Sequence, residues 1–171
     1  MRGAFRSAVI LLLCGLAAPC AATAQGGGAS ANDSLLQELV GLERAALDRW
    51  IALDPQGYLD LYATELTYFD PTTESRVDGL EAIRARLAPM KNAQIPFKDR
   101  RYEMIAPRVQ RHGDVAILTF NLVNYGRLPD RPESALTRWN STEVYGRAGG
   151  KWKIIHSHWS FTKPEVKQPG P

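Results

Sequence analysis

The sequence has 171 residues, of which 44% are hydrophobic and 23% are charged, and its formal net charge is +3. This length and composition suit one globular domain with its own hydrophobic core. A long run of Lys and Arg is missing, which argues against a nucleic-acid-binding protein.

The first 24 residues have the parts of a secretory signal peptide. Two arginines precede an apolar run over residues 8–18, which is too short to cross a bilayer as a helix. Ala22 and Ala24 are the small residues that signal peptidase reads, so we expect cleavage before Gln25. The mature protein is then expected to be secreted or periplasmic. A lipid anchor on Cys20 is the alternative interpretation.

Cleavage at this position would remove every cysteine from the mature chain. Both cysteines, Cys14 and Cys20, precede the cut, so the mature chain would have no disulfide and no thiolate metal ligand. Residues 25–33 are predicted to be a flexible leader, residues 34–163 the folded domain and residues 164–171 a loose tail.

A long helix is predicted over residues 34–53, with Asp33 or Ser34 as its N-cap. It carries an apolar stripe at helical spacing. The stripe consists of Leu35, Leu36, Leu39, Val40, Ala46, Leu47, Trp50 and Ile51. Asp54-Pro55 then opens a short second helix that carries Tyr58 and Tyr62.

A third helix is predicted to begin at Asp78, with Glu81 three residues later as in a capping box, and to end before Pro89. The rest of the chain alternates like β-strands separated by glycine turns. The predicted strands cover residues 66–69, 101–111, 115–125, 136–145 and 151–161. This order predicts an α+β fold in which helices cover one face of a curved, mainly antiparallel sheet.

Three segments, in this order of elements, resemble the NTF2-like superfamily in its SnoaL-like or DUF4440 branch. They are Tyr68-Phe69-Asp70-Pro71, Val77-Asp78-Gly79-Leu80 and the segment of residues 150–158. The strongest resemblance, over about residues 39–164, is to the association domain of calcium/calmodulin-dependent protein kinase II. It implies an NTF2-like cone with a pocket and a homodimer or larger homo-oligomer. No kinase motif is present in the sequence.

The resemblance also implies a set of pocket residues. The association domain has a tyrosine on its second helix, which aligns with Tyr58, and arginines on three strands, which align with Asn121, Glu143 and Trp159. The implied pocket has therefore lost its cationic lining and suits a small neutral aromatic or apolar ligand, with no cofactor. The predicted ligand-binding residues are Tyr58, Tyr62, Asn121, Trp139, Glu143 and Trp159.

The alternation of strand residues gives a second argument for these positions. Asn121, Glu143 and Trp159 are all odd-numbered, and the alignment turns the odd-numbered side chains toward the helices. Glu143, walled by Trp139 and Trp159, is then a candidate general acid or base with a raised pKa. The alternative is a solvated glutamate at the rim of the pocket.

Asp70, His156 and His158 are the other catalytic candidates. Asp70 beside Tyr68 would act as a base next to a phenol donor, as in ketosteroid isomerase, or would only form the Asp-Pro turn. His156 and His158 would be a general base or a metal pair. Alternatively they lie on the outward face of the sheet in a subunit interface; we expect no metal site.

Three functions stay open at this point. The chain would be a pocket protein, a small cofactor-free isomerase, cyclase or hydrolase using Glu143, Asp70 or the histidines, or an oligomerisation module without a ligand. The histidines are predicted to share the outer face of the sheet with an apolar surface that a second subunit would cover. That surface would consist of Trp152, Ile154, Leu136 and Leu122.

Overall fold

A computed structural model describes residues 30–163 of the chain. In chain order the elements are α1 Ala31–Ile51, α2 Gln56–Leu61, β1 Tyr62–Phe69, β2 Val77–Asp78, α3 Leu80–Leu87, a 3-10 helix Ala88–Asn92, β3 Lys98–His112, β4 Val115–Arg127, β5 Ser134–Ala148 and β6 Lys151–Phe161. The expected signal peptide and the expected tail lie outside the described residues. Among those residues, no helix has the length and apolar character that a membrane span needs.

Helix α1 begins earlier than predicted because Ser30 caps it. The Ser30 hydroxyl accepts from the backbone N–H of Asp33 at 3.1 Å, and the Asp33 carboxylate accepts from the backbone N–H of Ser30 at 3.0 Å. This capping box satisfies two donors that the first turn would otherwise leave without partners. The prediction of a cap at Asp33 or Ser34 is therefore wrong, and residues 31–33 of the expected leader are helical.

The predicted capping box at the start of α3 is also wrong. The N-cap is Gly79, whose φ of 85° lies in a region that favours glycine, and no side chain caps the helix. Asp78 instead lies in the two-residue strand β2, which the sequence did not predict. Its carboxylate accepts from Arg76 at 2.6 Å.

Residues 30–163 form one sheet of six strands in the order β2-β1-β6-β5-β4-β3. The predicted meander is present as β3 to β6, with each pair antiparallel. Strand β1 pairs in parallel with β6 and antiparallel with β2, so the sheet is mixed. The predicted α+β class is confirmed, and the parallel pairing joins the helical part of the domain to its last strand.

The core lies between α1, α2 and one face of this sheet. Helix α1 buries Leu35, Leu39, Ala46 and Leu47, as its apolar stripe predicts. Burying each leucine contributes about 1.5–3 kcal/mol in transfer free energy. Strand β4 supplies its even-numbered residues to the same core, which are Ala116, Leu118, Phe120 and Leu122.

Strand β6 changes the phase of its side chains in the middle. Ile154 lies opposite Tyr145 of β5, whereas His156 lies opposite the adjacent Val144, so Ile155 is one extra residue. An extra residue in one strand is a β-bulge, and side chains beyond it exchange faces of the sheet.

The bulge overturns the predicted outer face of the sheet. Trp152 and Ile154 precede it and are buried in the core at 4% and 0% exposure, and Leu122 of β4 is buried at 3%. His156 and His158 follow it and alternate with the buried Ser157. The histidines therefore do not share a face with Trp152 and Ile154, and the apolar surface expected for a subunit interface is absent at these positions.

Candidate ligand-binding pocket

A cavity of about 100 Å³ opens between the helices and the sheet. It is lined by Leu47, Trp50, Tyr58, Tyr62, Tyr68, Asp70, Leu122, Asn124, Trp139 and Trp159. Four of the predicted ligand-binding residues, Tyr58, Tyr62, Trp139 and Trp159, are in this set. We call it the aromatic cavity because three tryptophans and three tyrosines dominate its wall.

The rings of the aromatic cavity pack in two groups. On the helical side, Trp50 meets Tyr58 edge to face at 5.7 Å between ring centroids, and Tyr58 stacks on Tyr62 at 5.7 Å. On the sheet side, Trp139 and Trp159 meet at 6.1 Å with an interplanar angle of 86°. These are favourable aromatic arrangements, each contributing about 0.5–1.5 kcal/mol beyond area burial. They hold the wall in place.

The polar atoms of the two sheet tryptophans are satisfied inside the protein. The indole N–H of Trp139 donates to Thr137 at 2.8 Å, and that of Trp159 donates to Ser157 at 3.1 Å. The amide of Asn124 also donates to Thr137, at 3.0 Å. Because their donors are occupied, Trp139 and Trp159 offer a ligand apolar ring surface.

Asp70 both forms its turn and lines the cavity. Its carboxylate accepts from the Tyr68 hydroxyl at 2.9 Å, from the Thr72 backbone N–H at 2.7 Å and from the Thr72 hydroxyl at 2.6 Å. Arg86 lies 3.5 Å from the same carboxylate. Burial, followed by the charge of Asp70, raises the pKa of Tyr68 far above its ordinary value. These three hydrogen bonds leave few of its lone pairs open, and Asp70 contributes a negative charge to the wall.

Glu143 is fully buried on β5, which rules out the solvated rim position. One carboxyl oxygen accepts from Ser157 at 2.9 Å and from Ser141 at 3.2 Å. The other, Oε2, has no hydrogen-bond partner among residues 30–163. Burial and then the charge of Glu43 raise the pKa of Glu143 well above its ordinary value, against the serine hydrogen bonds. Glu143 is not, however, one of the residues that line the cavity.

Glu43 is a second buried acid, which the sequence analysis missed. It accepts from the Tyr58 hydroxyl at 2.6 Å and from the Tyr145 hydroxyl at 2.5 Å. Burial raises its pKa from 4.5 to about 7, although both tyrosine hydrogen bonds lower it. A signal was available, because position 43 lies four residues after Leu39 and four before Leu47 on the apolar stripe of α1.

Asn121 lies outside the cavity, so its predicted inward placement is wrong. Its side chain is exposed and donates to the Asn140 side chain at 2.8 Å and to the Trp139 carbonyl at 3.3 Å. In β4 the even-numbered residues face the core, whereas in β5 the odd-numbered ones do. Leu122 and Asn124 are therefore the β4 residues at the cavity wall.

The two histidines are likewise remote from the cavity wall. His156 shares a hydrogen bond of 2.8 Å with Thr67, and the Phe69 ring lies 6.2 Å from His156 and 5.9 Å from His158. Burial and then the charge of His158 lower the pKa of His156. Across residues 30–163, no cluster of three or more His, Cys, Asp or Glu side chains could hold a metal ion.

Comparisons with known proteins agree with the resemblance seen in the sequence. The family model of the calcium/calmodulin-dependent protein kinase II association domain matches residues 36–163. A Parabacteroides distasonis structure, described as a candidate ketosteroid isomerase, is 36% identical over 80% of this chain and 95% of its own, with a TM-score of 0.62. No curated protein sequence matches the chain.

Two more distant structures share the fold alone. The association domain of the C. elegans kinase is 19% identical over 77% of this chain and 99% of its own, with a TM-score of 0.65. An NTF2-like superfamily protein from Salmonella enterica is 18% identical over 82% of this chain and 100% of its own, with a TM-score of 0.62. The predicted NTF2-like architecture is confirmed.

Proposed function

We propose that this chain, which belongs to the calcium/calmodulin-dependent protein kinase II association-domain family, binds a small neutral aromatic or apolar molecule in the aromatic cavity. The observation that carries the proposal is the wall itself, where six of the ten lining residues are tryptophan or tyrosine. Leu47 and Leu122 add further apolar surface. Such a concave, mostly apolar site with a few polar groups is the usual form of a small-molecule site.

The size of the cavity limits the ligand. Its volume of about 100 Å³ is smaller than the ~150 Å³ of an engineered cavity that holds benzene. A single small ring or a compact apolar group would fill it, and a four-ring steroid would require the wall to move. The name of the Parabacteroides distasonis relative therefore does not by itself supply a substrate for this chain.

The charge of the wall disfavours anions. In the described part of the chain, no lysine or arginine lines the cavity, and Asp70 contributes a negative charge. An anion entering the cavity would lose its hydration beside Asp70 without a compensating cation, which is costly. A neutral ring would gain about 0.5–1.5 kcal/mol for each aromatic pair beyond the area that it buries.

Thermal unfolding with added ligands tests this proposal. A neutral one-ring compound at a hundredfold excess over its Kd stabilises by about 2.7 kcal/mol, which raises Tm by on the order of 10 °C. Trp159→Ala should lose most of this shift. Phe69→Ala, an aromatic truncation on the opposite face, is the matched control and should keep it. Benzoate raising Tm more than its neutral analogue, or an unchanged response in Trp159→Ala, would contradict the proposal.

A cofactor-free isomerase is a second candidate, because Asp70 and Tyr68 both line the cavity and are joined by a hydrogen bond of 2.9 Å. The name of the Parabacteroides distasonis relative favours the same chemistry. Proton exchange at the α-carbon of small ketones, followed by NMR in D₂O, measures it. Exchange that is lost in Asp70→Asn would support this function, and exchange at the uncatalysed rate would contradict it.

We also propose that the mature chain is exported and forms a homo-oligomer. The N-terminal segment supports export, and the family's role as an association domain supports self-assembly. N-terminal sequencing of the protein recovered from outside the cytoplasm should begin at Gln25. Sedimentation velocity at micromolar concentration should give at least a dimer, and a clean monomer would contradict the second part.

A further inference from the structure

We propose that the aromatic cavity also takes a small organic cation that carries a methylated ammonium group. This inference rests on the proposed function in one respect, which is that the cavity must admit a ligand. It goes further by assigning a second chemical class, selected by charge rather than by shape. The carrying observation is that three tryptophans, three tyrosines and one carboxylate dominate a wall to which residues 30–163 contribute no cationic side chain.

The composition of the wall favours a cation over a plain hydrocarbon. Its six aromatic residues are three tryptophans and three tyrosines, and none is phenylalanine. Tryptophan binds cations best among aromatic side chains, and attraction extends to about 6 Å from the ring centroid. In a cavity of about 100 Å³, a bound cation would lie within this range of several rings at once.

Hydrogen bonds behind the wall strengthen this effect. The Tyr58 hydroxyl donates to the buried Glu43 at 2.6 Å, and the Tyr68 hydroxyl donates to Asp70 at 2.9 Å. A phenol that donates to an acidic oxygen carries more electron density in its ring. Both tyrosines therefore attract a cation more strongly than a tyrosine whose hydroxyl is bonded to water.

The state of Asp70 selects a methylated ammonium over a primary one. Its oxygens already accept from Tyr68 and twice from Thr72, so few lone pairs remain for an N–H donor. A methylated ammonium has no such donor and needs only the Coulomb attraction of the charge and the contact of its methyl groups with the rings. Its compact, nearly spherical shape also suits the small cavity.

The positive charge of Arg86 repels a bound cation, so removing it tests whether ligand charge determines the affinity. Its guanidinium lies 3.5 Å from Asp70, but Arg86 is not one of the lining residues. It offsets part of the carboxylate charge from outside the cavity. Removing this positive charge should therefore strengthen the binding of a cation and leave a neutral ligand unaffected.

The experiment compares choline with 3,3-dimethyl-1-butanol, its neutral isostere, by calorimetric titration at matched sodium chloride concentration. Choline should bind at least tenfold more tightly than the alcohol. Asp70→Asn should weaken choline at least fivefold more than it weakens the alcohol, and Arg86→Gln should tighten choline at least twofold. Asp114→Asn, the same change at an exposed position in the β3–β4 turn, is the matched control and should alter neither.

Each outcome separates this inference from the proposed function. Equal affinities for the two ligands would overturn the inference while the alcohol's binding upholds the proposed function. Binding of neither ligand would overturn the inference, and the thermal-shift series with one-ring compounds would then decide the proposed function separately. If Asp70→Asn fails to fold, Arg86→Gln still decides, because unchanged or weaker choline binding in that variant overturns the inference.

Discussion

Glu43→Gln should reduce an unusual pH dependence of stability. Glu43 is fully buried, and burial raises its pKa in the folded state from 4.5 to about 7. The folded state therefore keeps a proton that the unfolded state releases between these two values. The stability from this group is fully present below pH 4.5 and is lost as the pH rises to about 7. Most carboxylates contribute in the opposite direction.

The change in the free energy of unfolding follows from how far burial raises the pKa of Glu43. The difference between 4.5 and about 7, at 1.36 kcal/mol per pKa unit, amounts to about 3 kcal/mol in total. About 2.5 kcal/mol of it falls between pH 5 and pH 8. Glu143, whose pKa burial also raises, acts in the same direction. Tyr58 and Tyr145 donate to different oxygens of Glu43, so glutamine keeps an acceptor for one of them and places its amide nitrogen beside the other. Glu43→Gln therefore removes the charge with little change in shape, at the cost of one hydrogen bond.

Urea unfolding followed by tryptophan fluorescence at pH 5 and pH 8 measures this effect. The wild type should lose about 2.5 kcal/mol more than Glu43→Gln between the two pH values. His156, whose lowered pKa makes stability rise with pH, is present in both chains and cancels in the comparison. Glu38→Gln is the matched control, since Glu38 is an exposed glutamate on the same helix and should leave the wild-type dependence unchanged.

One result would refute this reasoning directly. If the wild type and Glu43→Gln respond to pH in the same way, Glu43 does not hold a proton in the folded state at neutral pH. The hydrogen bonds from Tyr58 and Tyr145, which lower the pKa of Glu43, would then outweigh the effect of burial.

Two further predictions concern packing and hydrogen bonding, and urea unfolding measures both. Tyr145→Phe should cost about 1–3 kcal/mol, because it leaves the buried Glu43 with one donor fewer; a cost near zero would mean that the hydrogen bond is absent. Gly57→Ala should cost about 1–3 kcal/mol, because its Cβ would lie 3.0 Å from two backbone atoms of Ala46. Gly41→Ala, whose Cβ would meet nothing within 4 Å, should instead stabilise the protein by up to about 1 kcal/mol. Equal changes in the free energy of unfolding for Gly57→Ala and Gly41→Ala would contradict the packing of α1 against α2.

The bounds of an element can be predicted from the sequence where its apolar periodicity and its turn residues agree. Strand β6 runs over Lys151–Phe161, the predicted bounds, because its apolar alternation begins directly after Gly149-Gly150. Tyr58 and Tyr62 line the cavity as expected, although Tyr62 begins β1 and does not belong to the second helix as predicted. These features depend on local sequence and need no knowledge of the neighbouring strands.

Features that depend on partner strands could not be predicted in this way. The phase of a strand is a property of its pairing, so simple numbering put Asn121 inside and could not detect the extra residue Ile155 in β6. Burial of Glu43 is a similar case. A glutamate on an apolar stripe indicates an unusual site, but its two tyrosine donors, Tyr58 and Tyr145, come from other elements.

The place of β6 in the sheet has a consequence for how the chain is made. Strand β6 is the last strand within residues 30–163, yet it lies between β1 and β5. Until it leaves the ribosome, β1 has only the two-residue β2 as a neighbour, and β5 presents an open edge. Folding of the sheet must therefore wait until β6 has been synthesised, and before that point the unpaired edges of β1 and β5 are exposed to pairing with other chains.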